Sequence, residues 1–89
     1  MAYTVELTAS AEKALRKLDK PIRRRVLTAL DQLALQPRPP GCKKLSGGSE
    51  RWRIRAARHW RVIYEIRYTE LLVLVIDIDP RSAVYKDKS

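Results

Sequence analysis

Polar and apolar residues alternate from the start of the chain. Tyr3, Val5 and Leu7 interleave with Thr4, Glu6 and Thr8, the period-two pattern of a strand with one buried face. The period then lengthens. Ala11, Ala14, Leu15 and Leu18 recur at helical spacing with Glu12, Lys13, Arg16 and Lys17 on the wet side, and Thr8 or Ser10 stands where a cap is needed. Asp19 is placed to cap a second helix: Pro21 suits its first turn, Ile22, Val26, Ala29, Leu30 and Leu33 form its inner stripe, and Pro37 ends it. Lys20, Arg23, Arg24 and Arg25 fall on the outer face of that helix, where solvated charge is the expected state. A Pro-rich joint, Pro37 to Gly41, and a loop around Lys43 to Ser49 follow, with Ser46-Gly47-Gly48-Ser49 read as a turn.

Period two then returns for three strands. Trp52, Ile54 and Ala56 oppose Arg53 and Arg55; Trp60, Val62, Tyr64, Ile66 and Tyr68 oppose Arg61, Ile63, Glu65 and Arg67, and the two runs read as a hairpin. Leu71 to Ile78 is apolar on both faces, as a central strand covered on both sides would be, and Pro80 stops it. The expected architecture is α+β in the order β-α-α-β-β-β: one domain over 1–89, a helical pair packed on one face of a mainly antiparallel twisted sheet.

Composition narrows the class. With 45% hydrophobic residues in periodic runs, the chain is not expected to be disordered, and Cys42, its only cysteine, excludes a disulfide scaffold. No apolar run exceeds the six residues Leu71 to Ile76, so neither a signal peptide nor a membrane span is expected, and the chain reads as soluble and cytoplasmic. The formal net charge is +9, and residues 41 to 68 supply +6 of it. Arg53, Arg55, Arg58 and Arg61 lie in nine positions that hold no acid, a concentrated field suited to a polyanion.

The stock of reactive side chains excludes several chemistries. One His, one Cys and the pair Asp77 and Asp79 do not furnish a metal site, and the Gly47-Gly48 turn lacks the spacing of a phosphate loop, so no metal and no cofactor is expected. What remains is a strand pair presenting arginines, with Arg81 and Tyr85 beyond the last strand. Guanidinium groups grip phosphate oxygens bidentately and can stabilise the added charge of a phosphoryl transition state, while aromatic rings stack on unpaired bases. Trp52 and Trp60 read as core; Tyr85 is the better stacking or proton-transfer candidate. Without a metal, RNA is the favoured substrate, because its 2′-hydroxyl is an internal nucleophile that DNA lacks.

The series Lys44-Leu45-Ser46-Gly47, Trp52-Arg53-Ile54-Arg55, Trp60-Arg61-Val62-Ile63-Tyr64, then Arg81 and Val84-Tyr85, resembles the RelE/ParE superfamily of bacterial toxin-antitoxin toxins, on its RelE side. The resemblance spans nearly the whole chain. It implies a RelE-like fold and an endoribonuclease, an mRNA interferase that cuts messenger RNA in the 30S A site of the ribosome, with a RelB-like antitoxin encoded beside it. By similarity Arg53 and Arg55 match the paired basic positions of the first hairpin strand, Arg61 the arginine of the second, Arg81 the late arginine and Tyr85 the terminal tyrosine. On this basis Arg61, Arg81 and Tyr85 are the expected catalytic residues, with Arg53, Arg55, Arg58 and Lys44 holding RNA. Arginine at the paired basic positions is not a general base, which leaves Tyr85, His59 and Glu65 as candidates to move the proton. Arg58-His59 also stands where Gly-Asp is frequent, in a hairpin one residue longer than the common pattern. Two other readings share these features: a ParE-like toxin that blocks DNA gyrase by binding, and a basic RNA-binding module without activity.

Overall fold

The computed structural model of the chain describes residues 2–45, 50–57 and 59–80. Its elements run β1 (Thr4–Leu7), α1 (Ala9–Arg16), α2 (Lys20–Leu35), β2 (Lys43–Lys44), β3 (Arg51–Ala57), β4 (Trp60–Arg67) and β5 (Leu72–Pro80). The five strands form one sheet in the order β1-β5-β4-β3-β2, parallel at β1/β5 and antiparallel elsewhere. Both helices lie on one face. Val26, Leu30 and Leu33 of α2, with Ala11 and Leu18, bury against Ile54, Val62, Tyr64, Ile66, Val73, Val75 and Ile78 of the sheet. Trp52 and Trp60, read as core, are half-buried at its margin.

Helix α1 starts at Thr8, whose hydroxyl accepts from Ala11 N at 3.1 Å, the expected N-cap. The same hydroxyl donates to the Ile76 carbonyl at 2.8 Å, and Thr8 N donates to the Val75 carbonyl at 2.9 Å. Ile76 is the extra residue of a β-bulge: Tyr64 pairs with Val75 and Ile63 with Asp77, leaving Ile76 between them without a register partner on β4. The bulge reverses the alternation of β5. Val73 and Val75 face the helices before it, Ile78 faces them after it, and Asp77 and Asp79 are turned to the other side.

Several features depart from the sequence reading. Strand β5 is interior in the sheet, but among the described residues only one of its faces is covered; Leu72, Leu74 and Ile76 are half-exposed on the other because both helices pack on the same side. Lys43 and Lys44, expected in a loop, form an edge strand against Arg53 and Trp52. Asp19 occupies the N-cap of α2 without a side-chain bond to the helix, so Pro21 and backbone geometry set that start. Arg23 is half-buried and donates to the Leu18 carbonyl at 3.0 Å, which fastens the α1–α2 corner. Tyr68 lies in the β4–β5 turn, beyond the end of β4, and Leu71 closes that turn at φ 51°, a left-handed conformation costing leucine about 1 kcal/mol. Its carbonyl accepts from Thr4 N at 2.8 Å and so aligns β1 with β5.

Tyr64 reaches across the core from β4 and donates its phenol to the Pro37 carbonyl at 2.7 Å, tying the joint after α2 to the sheet. Burial, reinforced by the neighbouring Cys42 thiol, pushes this phenol well above the ordinary tyrosine range.

Two outcomes follow for stability. Thr8→Ala removes a cap and strands the carbonyl of the bulge, and is expected to cost about 2 kcal/mol, or about 10 °C in Tm. Thr8→Ser should recover most of that; equal melting of Thr8→Ala and wild type would refute the double role. Tyr64→Phe should cost about 1 kcal/mol near neutral pH. The folded phenol holds its proton more tightly than the unfolded one, so its contribution is complete below about pH 10 and is lost as pH rises beyond that value. Urea unfolding at about pH 7 and about pH 11 should therefore show the gap between wild type and Tyr64→Phe narrowing.

Candidate functional site

On the sheet face turned away from the helices, the registers place charged residues in rows. One row runs Lys43, Arg53, Ile63, Asp77, and the next runs Arg55, Arg61, Asp79. A third holds Arg51, Glu65, Leu74 and Glu6. The β2/β3 side of this face is cationic and the β5 side is acidic in its first two rows, so the sheet carries a charge gradient across its strands. The pairings within these two rows depend on local irregularities. The bulge at Ile76 brings Asp77 and Asp79 to this face, and a second register shift sets Arg55 opposite Arg61 but Ala57 opposite Trp60, which makes Ala56 the extra residue of β3.

Arg53, Arg55 and Arg61 are thus brought together, as the sequence reading expected. Their exposures differ. Arg55 is exposed and Arg53 half-buried, whereas Arg61 is only 7% exposed, the one buried charged residue among those described. In the register Arg61 stands between Arg55 and Asp79, and its burial strengthens its field on a nearby anion. His59 is exposed in the β3–β4 turn, at the same end of the hairpin as the Arg55 and Arg61 row.

Other candidates lie elsewhere. Glu65 is four residues from Arg61 along β4, about 14 Å at the usual rise per residue. It accepts from Arg67 Nε at 2.9 Å and lies 3.8 Å from Arg51 Nε, so its carboxylate is engaged with cations at the far end of the face. Lys44 pairs in register with Trp52 and therefore shares the helix-side face, opposite to Arg53. There Lys44 Nζ and Arg38 lie over the Trp52 ring at 5.9 and 5.8 Å, and Arg38 is also 5.8 Å from the Tyr68 ring. Glu50 accepts from Trp52 Nε1 at 3.1 Å and Lys44 Nζ at 3.4 Å; the indole bond first, then the nearby cations, hold its carboxyl below the ordinary range. Arg58, Arg81 and Tyr85 lie outside the described residues. Among the described residues there is no group of three or more His, Cys, Asp or Glu that could hold a metal ion.

Sequence reasoning missed Lys43. Two adjacent lysines before a strand carry no sign of which one shares the arginine face, and only the pairing of Lys43 with Arg53 selects it.

Comparisons place this geometry among known proteins. The profile of a family described as ParE toxin of type II toxin-antitoxin system, parDE, matches residues 5–85. Among solved structures, the archaeal RelE-RelB complex from Pyrococcus horikoshii OT3 contains a chain 30% identical to this one, with a TM-score of 0.80, covering 91% of this chain and 97% of that one. The isolated E. coli RelE toxin is 27% identical at a TM-score of 0.78, covering 98% and 95% of the two chains. A YoeB/ParE toxin from Agrobacterium tumefaciens, 16% identical with a TM-score of 0.75 and coverage of 86% and 96%, shares the fold. No curated protein matches the chain by sequence.

Register alone yields a test with two adjacent lysines. If the arginine face holds a single-stranded polyanion, Lys43→Ala should lower the dependence of log affinity on log salt by about 0.7, the value for one lost phosphate contact, and Lys44→Ala should leave it unchanged. Salt titrations of a labelled oligonucleotide read the difference. Equal slopes for the two variants would mean a diffuse basic surface.

Proposed function

The chain belongs to the ParE toxin family of type II toxin-antitoxin systems, and from that premise we propose that it acts as an endoribonuclease, an mRNA interferase cutting messenger RNA in the ribosomal A site. The observation that carries this reading is the row of Arg55 and Arg61 beside Arg53 and Lys43 on the sheet face turned away from the helices. Four cations held by a hydrogen-bonded sheet are a phosphate-binding surface, and the desolvated Arg61 supplies the fixed positive charge that phosphoryl transfer requires.

In this mechanism Arg53, Arg55 and Lys43 hold the RNA backbone and Arg61 faces the phosphate that gains charge. The 2′-hydroxyl attacks the adjacent phosphorus, its proton passes to a protein group, and the 5′ oxygen of the next nucleotide leaves with a proton. His59, in the turn beside the Arg55 and Arg61 row, is the described residue positioned to handle a proton there. Arg81 and Tyr85 take charge stabilisation and stacking or proton transfer by family resemblance. The partner that neutralises the toxin is a RelB-like antitoxin whose acidic, partly amphipathic segment covers the arginine face, in keeping with the RelE-RelB complexes among the structural relatives.

The family profile also carries the ParE name, which favours a second reading, inhibition of DNA gyrase by binding. One set of assays separates them. In single-turnover cleavage on ribosomes, Arg61→Ala should lose about 10² to 10³ in rate, as when one oriented transition-state donor is removed. Arg55→Ala should weaken binding more than rate, and a 2′-deoxy substitution at the cut position should abolish cleavage. Undiminished cleavage of the 2′-deoxy substrate would refute the mechanism. Absence of RNA cleavage together with inhibited gyrase supercoiling would put the second reading in its place.

A further inference from the structure

Behind the arginine row, a cleft of about 410 Å³ opens between α2, the Pro39 to Gly41 segment and the edge of β3. Two of its lining residues are arginines, Arg25 from α2 and Arg55 from β3, both exposed. Neither has an ion-pair or hydrogen-bond partner among the described residues. The register turns the Arg55 side chain to the sheet face away from the helices, so Arg55 borders the cleft through its backbone, and the Arg25 guanidinium is the charged group on the α2 wall. The floor is apolar, with Ile54 and the bulged Ala56, while Gln32 from α2 offers an amide that both donates and accepts.

The edge of β3 adds backbone groups. Leu45 N donates to the Arg51 carbonyl at 2.9 Å and Lys43 pairs with Arg53, so alternate residues of β3 turn their N–H and C=O toward this edge. Arg55 is next in that series. Strand β2 is two residues long, and no described strand covers the edge at Arg55. The cleft therefore offers an anion grip, an apolar shelf, one side-chain amide and a free backbone edge, in a volume within the range of small-molecule sites. It is also continuous with the face above, because Arg55 borders the cleft and is the register partner of Arg61, about 5 Å away between Cα atoms.

The geometry points to a nucleotide subsite: the cleft binds one single-stranded nucleotide flanking the cleaved step, with its phosphate between the Arg25 guanidinium and the backbone edge at Arg55, its base on Ile54 and Ala56, and its edge read by Gln32. This rests on the chain being an RNA-cleaving toxin and adds to it the residues that select sequence. An acidic peptide is the other anion such a cleft could take. It lacks a planar group for the shelf, so RNA is favoured.

The test measures binding apart from cleavage. Labelled five-nucleotide RNAs with 2′-O-methyl groups throughout, differing at one position, are titrated with wild type, Arg25→Ala, Gln32→Ala and, as a control on the same helix, Arg24→Ala. The three substitutions are at exposed sites, and melting of the variants is compared with wild type first. Arg25→Ala should lower the salt slope by about 0.7. Wild type should prefer one base about tenfold, and Gln32→Ala should level that preference. Arg24→Ala should match wild type. The subsite is overturned if Arg25→Ala and Gln32→Ala both behave as Arg24→Ala does, or if they lose binding to a labelled ten-residue poly-glutamate peptide and not to RNA. Ribose RNAs, with and without ribosomes, distinguish the two levels. Cleft-dependent binding without any cleavage leaves the subsite standing and defeats the nuclease reading. Cleavage with cleft variants binding like wild type does the reverse.

Discussion

One hydroxyl, that of Thr8, holds the bulge that decides which side chains β5 sets beside the arginines. It closes the first turn of α1 and satisfies the carbonyl of Ile76, the bulged residue of β5. A bulge leaves a backbone group without its ladder partner, and burying such a group is costly unless another donor reaches it. By supplying that donor, Thr8 keeps the bulge in place, and the bulge sets the parity of everything after it on β5. With regular alternation, Asp77 and Asp79 would face the helices and Ile78 would face water. The shifted strand instead gives the core Ile78 and gives the open face two carboxylates beside Ile63 and Arg61.

That arrangement explains how a cationic face can be built without coming apart. Arg55 and Arg61 are cross-strand neighbours, a like-charge pair that destabilises an antiparallel sheet. Asp79 flanks Arg61 on the opposite strand and offsets the repulsion from within the same row. The cost of holding arginines together is thus met by acids on the far side of the sheet, and the β3 side keeps its positive field for a ligand. Arg23, Glu50 and Glu65 show the complementary use of charge. Each is committed to a local contact that fixes a corner, a ring or a hairpin end.

Much of this was legible in the sequence because period changes are strong signals. The β1 alternation, the stripe from Ile22 to Leu33 and the opposed faces of the hairpin all follow from spacing. The grouping of Arg53, Arg55 and Arg61 on one face follows from the same parity. What spacing does not encode is a change of parity within an element. Leu71 to Ile78 is apolar throughout, so nothing in it marks Ile76 as the residue to be skipped, and only the hydroxyl of Thr8, distant in the chain, decides it. Lys43 and Lys44 are ambiguous for the same reason, since a two-residue strand has no period of its own. Arg23 falls on the outer face by spacing alone, because helical spacing cannot reveal that the Leu18 carbonyl at the preceding corner lies within its reach.

In the proposed function the phosphate chemistry belongs to the strands, and the proposed reading of sequence belongs to the edge where β2 ends. Arg55 belongs to both, as the register partner of Arg61 and, through its backbone, at an edge of β3 that no described strand covers. The most direct measurement is the chemistry of RNA ends in cells after brief induction of the chain. Cleavage by 2′-hydroxyl attack requires downstream fragments with 5′-hydroxyl ends and upstream fragments with 2′,3′-cyclic phosphates, at positions in phase with the reading frame. Ends bearing 5′-phosphate, or intact messenger RNA in cells whose growth has stopped, would contradict the account.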